Sequence, residues 1–136
     1  MVRLTLMLTL MSLSLSVSPS LTQWSQFDWT PNRELASILE GELAIAGCPV
    51  DAMLVAARVY DNRGGTSEGW YGWREPGKLA LAVSAFYKLL PDESKGAQFF
   101  IERKDKKKMP FLDDATMVNE WHCENGNTVQ AWLLLP

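Results

Sequence analysis

The stretch Thr30-Pro31-Asn32-Arg33-Glu34-Leu35-Ala36-Ser37-Ile38-Leu39-Glu40-Gly41-Glu42-Leu43-Ala44-Ile45-Ala46 decides how this chain begins its fold. Thr30-Pro31 has the form of a capping residue followed by proline at the first helical position. Leu35, Ile38, Leu39 and Ala46 recur at threes and fours, so the spacing predicts a helix to about Ala46 with one apolar face. Glu42 interrupts that face, whereas Glu40 projects away from it. A carboxyl among apolar side chains loses hydration, and one that keeps its proton near neutral pH can serve as a general acid. The alternative for Glu42 is a rim position that reaches water or pairs with Arg58 or Arg63.

Gly47-Cys48-Pro49 ends this helix and opens a second, expected from Pro49 to about Asn62. Its middle, Ala52 to Ala57, is wholly apolar, which marks a central helix. Asn62-Arg63-Gly64-Gly65 stops it. A loop follows in which Gly64, Gly65, Gly69, Gly72 and Gly77 alternate with Trp70, Tyr71 and Trp73. That mixture suits a loop with a surface task. A third helix is expected from Lys78 to Leu90, ended by Pro91. Gly96 precedes a strand-like run, Ala97-Gln98-Phe99-Phe100-Ile101, and Asp105-Lys106-Lys107-Lys108 reads as a solvated helical turn. Val129-Gln130-Ala131-Trp132-Leu133 alternates after a turn at Gly126, so a small hairpin or sheet is expected late in the chain. The fold class read from this order is α+β, mainly helical.

Upstream, Arg3 is the one charge before Asp28. Leu4 to Leu15 is apolar with interspersed Ser and Thr, and small residues follow at Ser16 to Ser20. A basic start, a short apolar stretch and small residues resemble a secretory leader, expected over residues 1–22. The apolar stretch is short for a membrane span. Residues 23–136 then form a single domain, exported to the cell envelope or beyond.

Composition narrows the function. The net charge is −3, and there is no basic stripe, so nothing draws the chain to nucleic acid. One His and two Cys do not suggest a metal site, and no cofactor motif is present. Cys48 and Cys123 are either a disulfide in an oxidising compartment or two separate thiols. Six Trp is high for 136 residues, and some of the rings are expected to line a groove.

Several of these segments resemble one family. Leu35-Ala36-Ser37-Ile38-Leu39-Glu40-Gly41-Glu42 looks like the catalytic helix of the spore cortex-lytic type cell wall hydrolases, whose last Glu is catalytic. Ala56-Ala57-Arg58-Val59-Tyr60-Asp61-Asn62-Arg63 resembles that family's second-helix ending, and Gly96-Ala97-Gln98-Phe99-Phe100 its later strand entry. The resemblance implies a lysozyme-like α+β fold and cleavage of peptidoglycan glycan strands between N-acetylmuramic acid and N-acetylglucosamine. It implies Glu42 as the general acid, and it makes natural a lytic transglycosylase route that needs one carboxyl group. Trp70, Tyr71 and Trp73 would then be sugar-stacking walls, and Asn62 and Arg63 substrate contacts. From the residues alone, the rings can equally pack the loop, Asn62 can cap its helix, and Arg63 can sit in a surface ion pair. A second acid, if used, would be Glu68, Glu75 or Asp61. The rival functions are an inactive glycan-binding protein and a small exported structural or interaction protein.

Overall fold

Three helices precede a three-stranded sheet in the computed structural model, which describes residues 26–134 together with Ser20 and Gln23. The leader expected over residues 1–22 falls, Ser20 apart, outside the described residues. The helices are α1 (Arg33–Leu39), α2 (Val50–Asn62) and α3 (Lys78–Phe86). The strands are β1 (Phe99–Glu102), β2 (Ala115–His122) and β3 (Thr128–Leu134). The chain is a small α+β domain. Among the described residues no helix is long and apolar enough to cross a membrane.

The first helix starts later than its sequence suggests. Asn32 is the cap, and its side-chain oxygen accepts from the Leu35 N–H at 3.0 Å. Thr30 lies before the helix, with its N–H on Asp28 Oδ1 at 2.9 Å. The helix also ends differently. Glu40–Ala44 is a π-helical turn, in which the Ile45 N–H reaches back to the Glu40 carbonyl at 3.0 Å. A π turn takes in one more residue than an α turn, so it rotates everything after it around the axis. Leu43 thereby joins Leu35 and Leu39 in the core, with all three fully buried, and Glu42 moves off the apolar face to a half-buried position. The straight-helix expectation for Glu42 is therefore corrected by a turn that its sequence does not announce.

Helix α2 fulfils the expectation of a central element. Ala52, Met53, Val55, Ala56, Ala57, Val59 and Tyr60 are all buried. It packs on α1, α3 and the sheet. Helix α3 ends at Phe86 and continues as a tight turn, Tyr87–Leu89. Arg58 of α2 closes that end: its Nη2 donates to the carbonyls of Tyr87, Lys88 and Leu90 at 3.4, 3.3 and 2.9 Å. Phe27 and Trp29 of the lead-in pack near Phe86, with the Trp29 and Phe86 ring centres 6.2 Å apart.

The sheet is antiparallel with β3 in the middle, in the order β1-β3-β2. Phe99 pairs with Trp132, and Trp121 with Val129. The register of β2 slips between Met117 and Asn119, a bulge at Val118. Strand β2 is the element that the sequence reading lacked. Short 3-10 turns at Arg103–Lys108 and Pro110–Asp114 connect β1 to β2.

Cys48 and Cys123 are bonded to each other, which settles the choice that their sequence leaves open. The bond fastens the end of the π turn to the tip of the β2–β3 hairpin. Two main-chain hydrogen bonds run beside it: Glu124 N–H to the Gly47 carbonyl and Asn125 N–H to the Ala46 carbonyl, both 3.1 Å.

Candidate functional site

The π turn presents two carboxylates to one loop. Glu42 Oε1 accepts from the Tyr71 N–H at 2.8 Å and from the Gly72 N–H at 2.6 Å. Glu40 Oε1 accepts from the Gly77 N–H, at the cap of α3, at 2.7 Å. The Arg74 N–H adds a bond to the Ser37 carbonyl at 3.3 Å. Four backbone donors thus strap the 71–77 segment along the end of α1. Bonds from backbone N–H to a carboxylate are charge-assisted and short, as found here.

The strap requires close approach. A Cβ on Gly41 would stand 2.5 Å from the Gly72 carbonyl carbon and 2.6 Å from the Trp73 nitrogen. Gly41 is the signal that sequence reasoning passed over. Glycine inside a helical pattern costs about 1 kcal/mol relative to alanine, so its presence marks a backbone contact.

The aromatic residues of the loop divide. Tyr71 is 87% exposed and Trp73 53% exposed. They flank Gly72 in the chain, whose N–H donates to Glu42. Trp70 is buried, which corrects its assignment as a groove wall. Its ring stacks on Phe100 with centres 6.4 Å apart, and Phe100 stacks on Trp121 at 5.8 Å. Gly69, just before it, has a left-handed φ of 83°.

Asn62 and Arg63 both make hydrogen bonds within the fold. Asn62 Nδ2 donates to Ser94 Oγ at 3.2 Å and to the Ala97 carbonyl at 2.9 Å, pinning the turn before β1 to the end of α2. Arg63 donates to the Glu68 carbonyl at 3.2 Å and lies over the Phe99 ring at 5.7 Å. Both were candidate substrate contacts. The Asn62 amide and the Arg63 Nη2 are each engaged by the fold.

The candidate second acids are also spread out. Asp61 Oδ2 accepts from the Tyr87 hydroxyl at 2.7 Å. Glu75 pairs with Arg33 at 3.1 Å on the surface. Glu68 is exposed, and its carbonyl serves Arg63. None of the three shares a hydrogen bond with Glu42. His122 is exposed at the hairpin end, with Nδ1 3.0 Å from Thr128 Oγ1. Cys123 is consumed by the disulfide, which removes it as a thiol nucleophile.

Both carboxylates of the π turn are therefore fixed at one oxygen, Glu42 by two donors and Glu40 by one. Oε1 of Glu42 is oriented by two donors, while Oε2 makes no hydrogen bond among the described residues. The loop that supplies those donors carries two exposed aromatic side chains, Tyr71 and Trp73. No protein family, no curated protein and no solved structure matches this chain.

Proposed function

We propose that this chain is an exported enzyme that cleaves peptidoglycan glycan strands between N-acetylmuramic acid and N-acetylglucosamine, with Glu42 as its acid. The observation that carries the reading is the Glu42 carboxyl group, oriented at Oε1 by the Tyr71 and Gly72 N–H groups of a loop whose Tyr71 and Trp73 side chains are exposed. Aromatic faces pack well on the apolar C–H faces of pyranose rings. Tyr71 and Trp73 suit that task because burial does not occupy them. The likeness of the Leu35–Glu42 and Ala56–Arg63 segments to the spore cortex-lytic hydrolases supports the same residue. The leader-like start and the Cys48–Cys123 bond support export, since disulfides persist in oxidising compartments.

The engagement of candidate second acids elsewhere in the fold favours a lytic transglycosylase over a two-acid hydrolase. Retaining hydrolysis needs a second carboxylate about 5–5.5 Å away, and inversion one at about 6.5–9.5 Å. Asp61 and Glu75 are committed to Tyr87 and Arg33. In the one-acid route, Glu42 Oε2 gives its proton to the glycosidic oxygen as the bond to the muramic C1 breaks. The muramic C6 hydroxyl closes on C1 and returns its proton to the carboxylate. Water is not consumed, and the product carries a 1,6-anhydro ring.

A second reading has one observation in its favour. Glu42 Oε1 also closes the loop, a structural task that a glycan-binding protein without catalysis would need equally. Turnover of insoluble peptidoglycan separates the two. The cleaving enzyme solubilises it, and Glu42→Gln, which keeps an oxygen for the two N–H donors, abolishes release while the folded content is retained. The binder co-sediments with peptidoglycan and releases nothing.

A further inference from the structure

A cleft of about 270 Å³ lies between α2, the turn after α3 and the bulge of β2, and it contains none of the residues that hold Glu42. Its lining carries charges of both signs: Arg58 and Lys95, Asp51 and Glu93. Among the described residues Asp51, Glu93 and Lys95 take part in no ion pair with one another, although all three line the one cleft. Opposite charges that face one cleft without meeting leave room for a molecule between them.

Two further observations point to the same place. Arg58 Nε is buried and has no hydrogen-bond partner, although the Nη2 of the same side chain is fully used. A buried donor without an acceptor costs about 1–3 kcal/mol, and this one belongs to a side chain that lines the cleft. Lys95 is the one non-glycine among the described residues with a left-handed backbone, φ 52°. That conformation is held from outside: Ser94 is fixed by Asp92 Oδ1 through its N–H at 2.9 Å and its hydroxyl at 2.6 Å, and Asn62 grips Ser94 Oγ. The Ala97 N–H closes this turn on the Ser94 carbonyl at 2.9 Å, with Lys95 and Gly96 both left-handed at its centre, and the turn carries Lys95 to the cleft rim. Leu54 and Trp121 supply apolar wall.

We infer that this cleft binds an amino-acid group bearing both an ammonium and a carboxylate, the carboxylate toward Arg58 and Lys95 and the ammonium toward Asp51 and Glu93. The inference rests on the glycan-strand reading only for the source of that group, the peptide stem that peptidoglycan strands carry. Trp121 gives the geometric link. It lines the cleft and stacks on Phe100, which stacks on Trp70 at the start of the Glu42 strap. A strand seated at Glu42 and a stem seated in the cleft would then engage opposite ends of one row of rings.

The test is an NMR titration of the intact, disulfide-bonded protein with free diaminopimelate, followed at the Trp121 indole and the amides of residues 92–96. Pimelate, which lacks the ammonium groups, and 1,5-diaminopentane, which lacks the carboxylates, are titrated alongside. The expected result is saturable shifts with diaminopimelate alone. Lys95→Gly relieves the left-handed strain without disturbing the fold, and Asp51→Asn removes an exposed charge; each weakens binding by about tenfold, the worth of one charge-assisted contact. Glu42→Gln binds diaminopimelate as the unaltered protein does, so a failure of the catalytic reading and a failure of this one are told apart. Absence of saturable shifts, equal binding of pimelate or diaminopentane, or unchanged affinity in both cleft variants overturns the inference.

Discussion

Gly41 and Gly72 meet main chain to main chain: a Cβ built on either would stand 2.5 Å from the carbonyl carbon of the other. This contact lets the loop descend onto the π turn, and it is what brings the Tyr71 and Gly72 N–H groups to Glu42. Gly41→Ala or Gly72→Ala forces the two segments apart. Overpacking of this kind costs about 1–3 kcal/mol. Lifting the loop also removes donors that orient the proposed acid, and loss of such orientation costs on the order of a hundredfold in rate. Denaturant unfolding and peptidoglycan turnover, measured on the same preparation, check both parts. Full activity in a folded Gly41→Ala variant would contradict the role given to the strap.

The loop aromatics should separate by function. Trp70→Ala opens a hole beneath the loop and costs about 3–5 kcal/mol, as large aromatic truncations in cores do. Tyr71→Ala and Trp73→Ala, at exposed positions, change stability by no more than about 0.5 kcal/mol. Their effect falls on glycan affinity, read by co-sedimentation with insoluble peptidoglycan. Unchanged sedimentation in the Tyr71→Ala, Trp73→Ala double variant would remove these rings from the binding surface.

The Cys48–Cys123 bond closes a loop across a separation of 75 residues. In the chain-entropy description such a closure stabilises by about 4 kcal/mol. Replacing both cysteines by serine lowers the thermal midpoint, and a reductant lowers that of the unaltered protein but not of the variant. Equal midpoints in all samples would show that the hairpin tip is held by its main-chain bonds alone.

Alkaline pH offers a further check. Burial, and then the hydrogen bond to Asp61, push the Tyr87 phenol well above its ordinary value of 10.0. Burial and Glu34 push Tyr60 up as well. A group whose folded value is raised keeps its proton longer in the native state. Its stabilisation is present in full below pH 10 and is lost as pH rises beyond it, by up to about 1.4 kcal/mol per pH unit for one group. Tyr87→Phe should therefore flatten the fall in unfolding free energy above pH 10, at a cost of about 1 kcal/mol at neutral pH. An unchanged slope would mean that Tyr87 ionises with equal ease in both states.

What could be read from the sequence followed the strength of local pattern. Helix α2 was legible because its apolar block from Ala52 to Ala57 has no rival reading, and β3 because Val129 to Leu133 alternates. The end of α1 was not, since a π turn leaves no mark in residue identity, and one added residue per turn was enough to exchange Leu43 for Glu42 in the core. Strand β2 was hidden because Asn119, Glu120 and His122 give it a polar surface, and it is ordered by pairing with β3 rather than by its own composition. Within the site, Glu42 stood out as an acid on an apolar pattern. The loop composition could not distinguish buried Trp70 from its exposed neighbour Tyr71. Asn62 and Arg63 looked like contacts for a ligand because their partners, the Ser94–Ala97 turn and the Glu68 carbonyl, come from elsewhere in the chain.

The most direct measurement is the mass of the ends released from purified peptidoglycan by the unaltered protein and by Glu42→Gln. The account predicts fragments ending in 1,6-anhydromuramic acid from the unaltered protein, one water lighter than reducing ends, and none from the folded Glu42→Gln variant. Fragments from the variant at the same rate, or none from either folded protein, would contradict Glu42 as the acid of a glycan-cleaving enzyme.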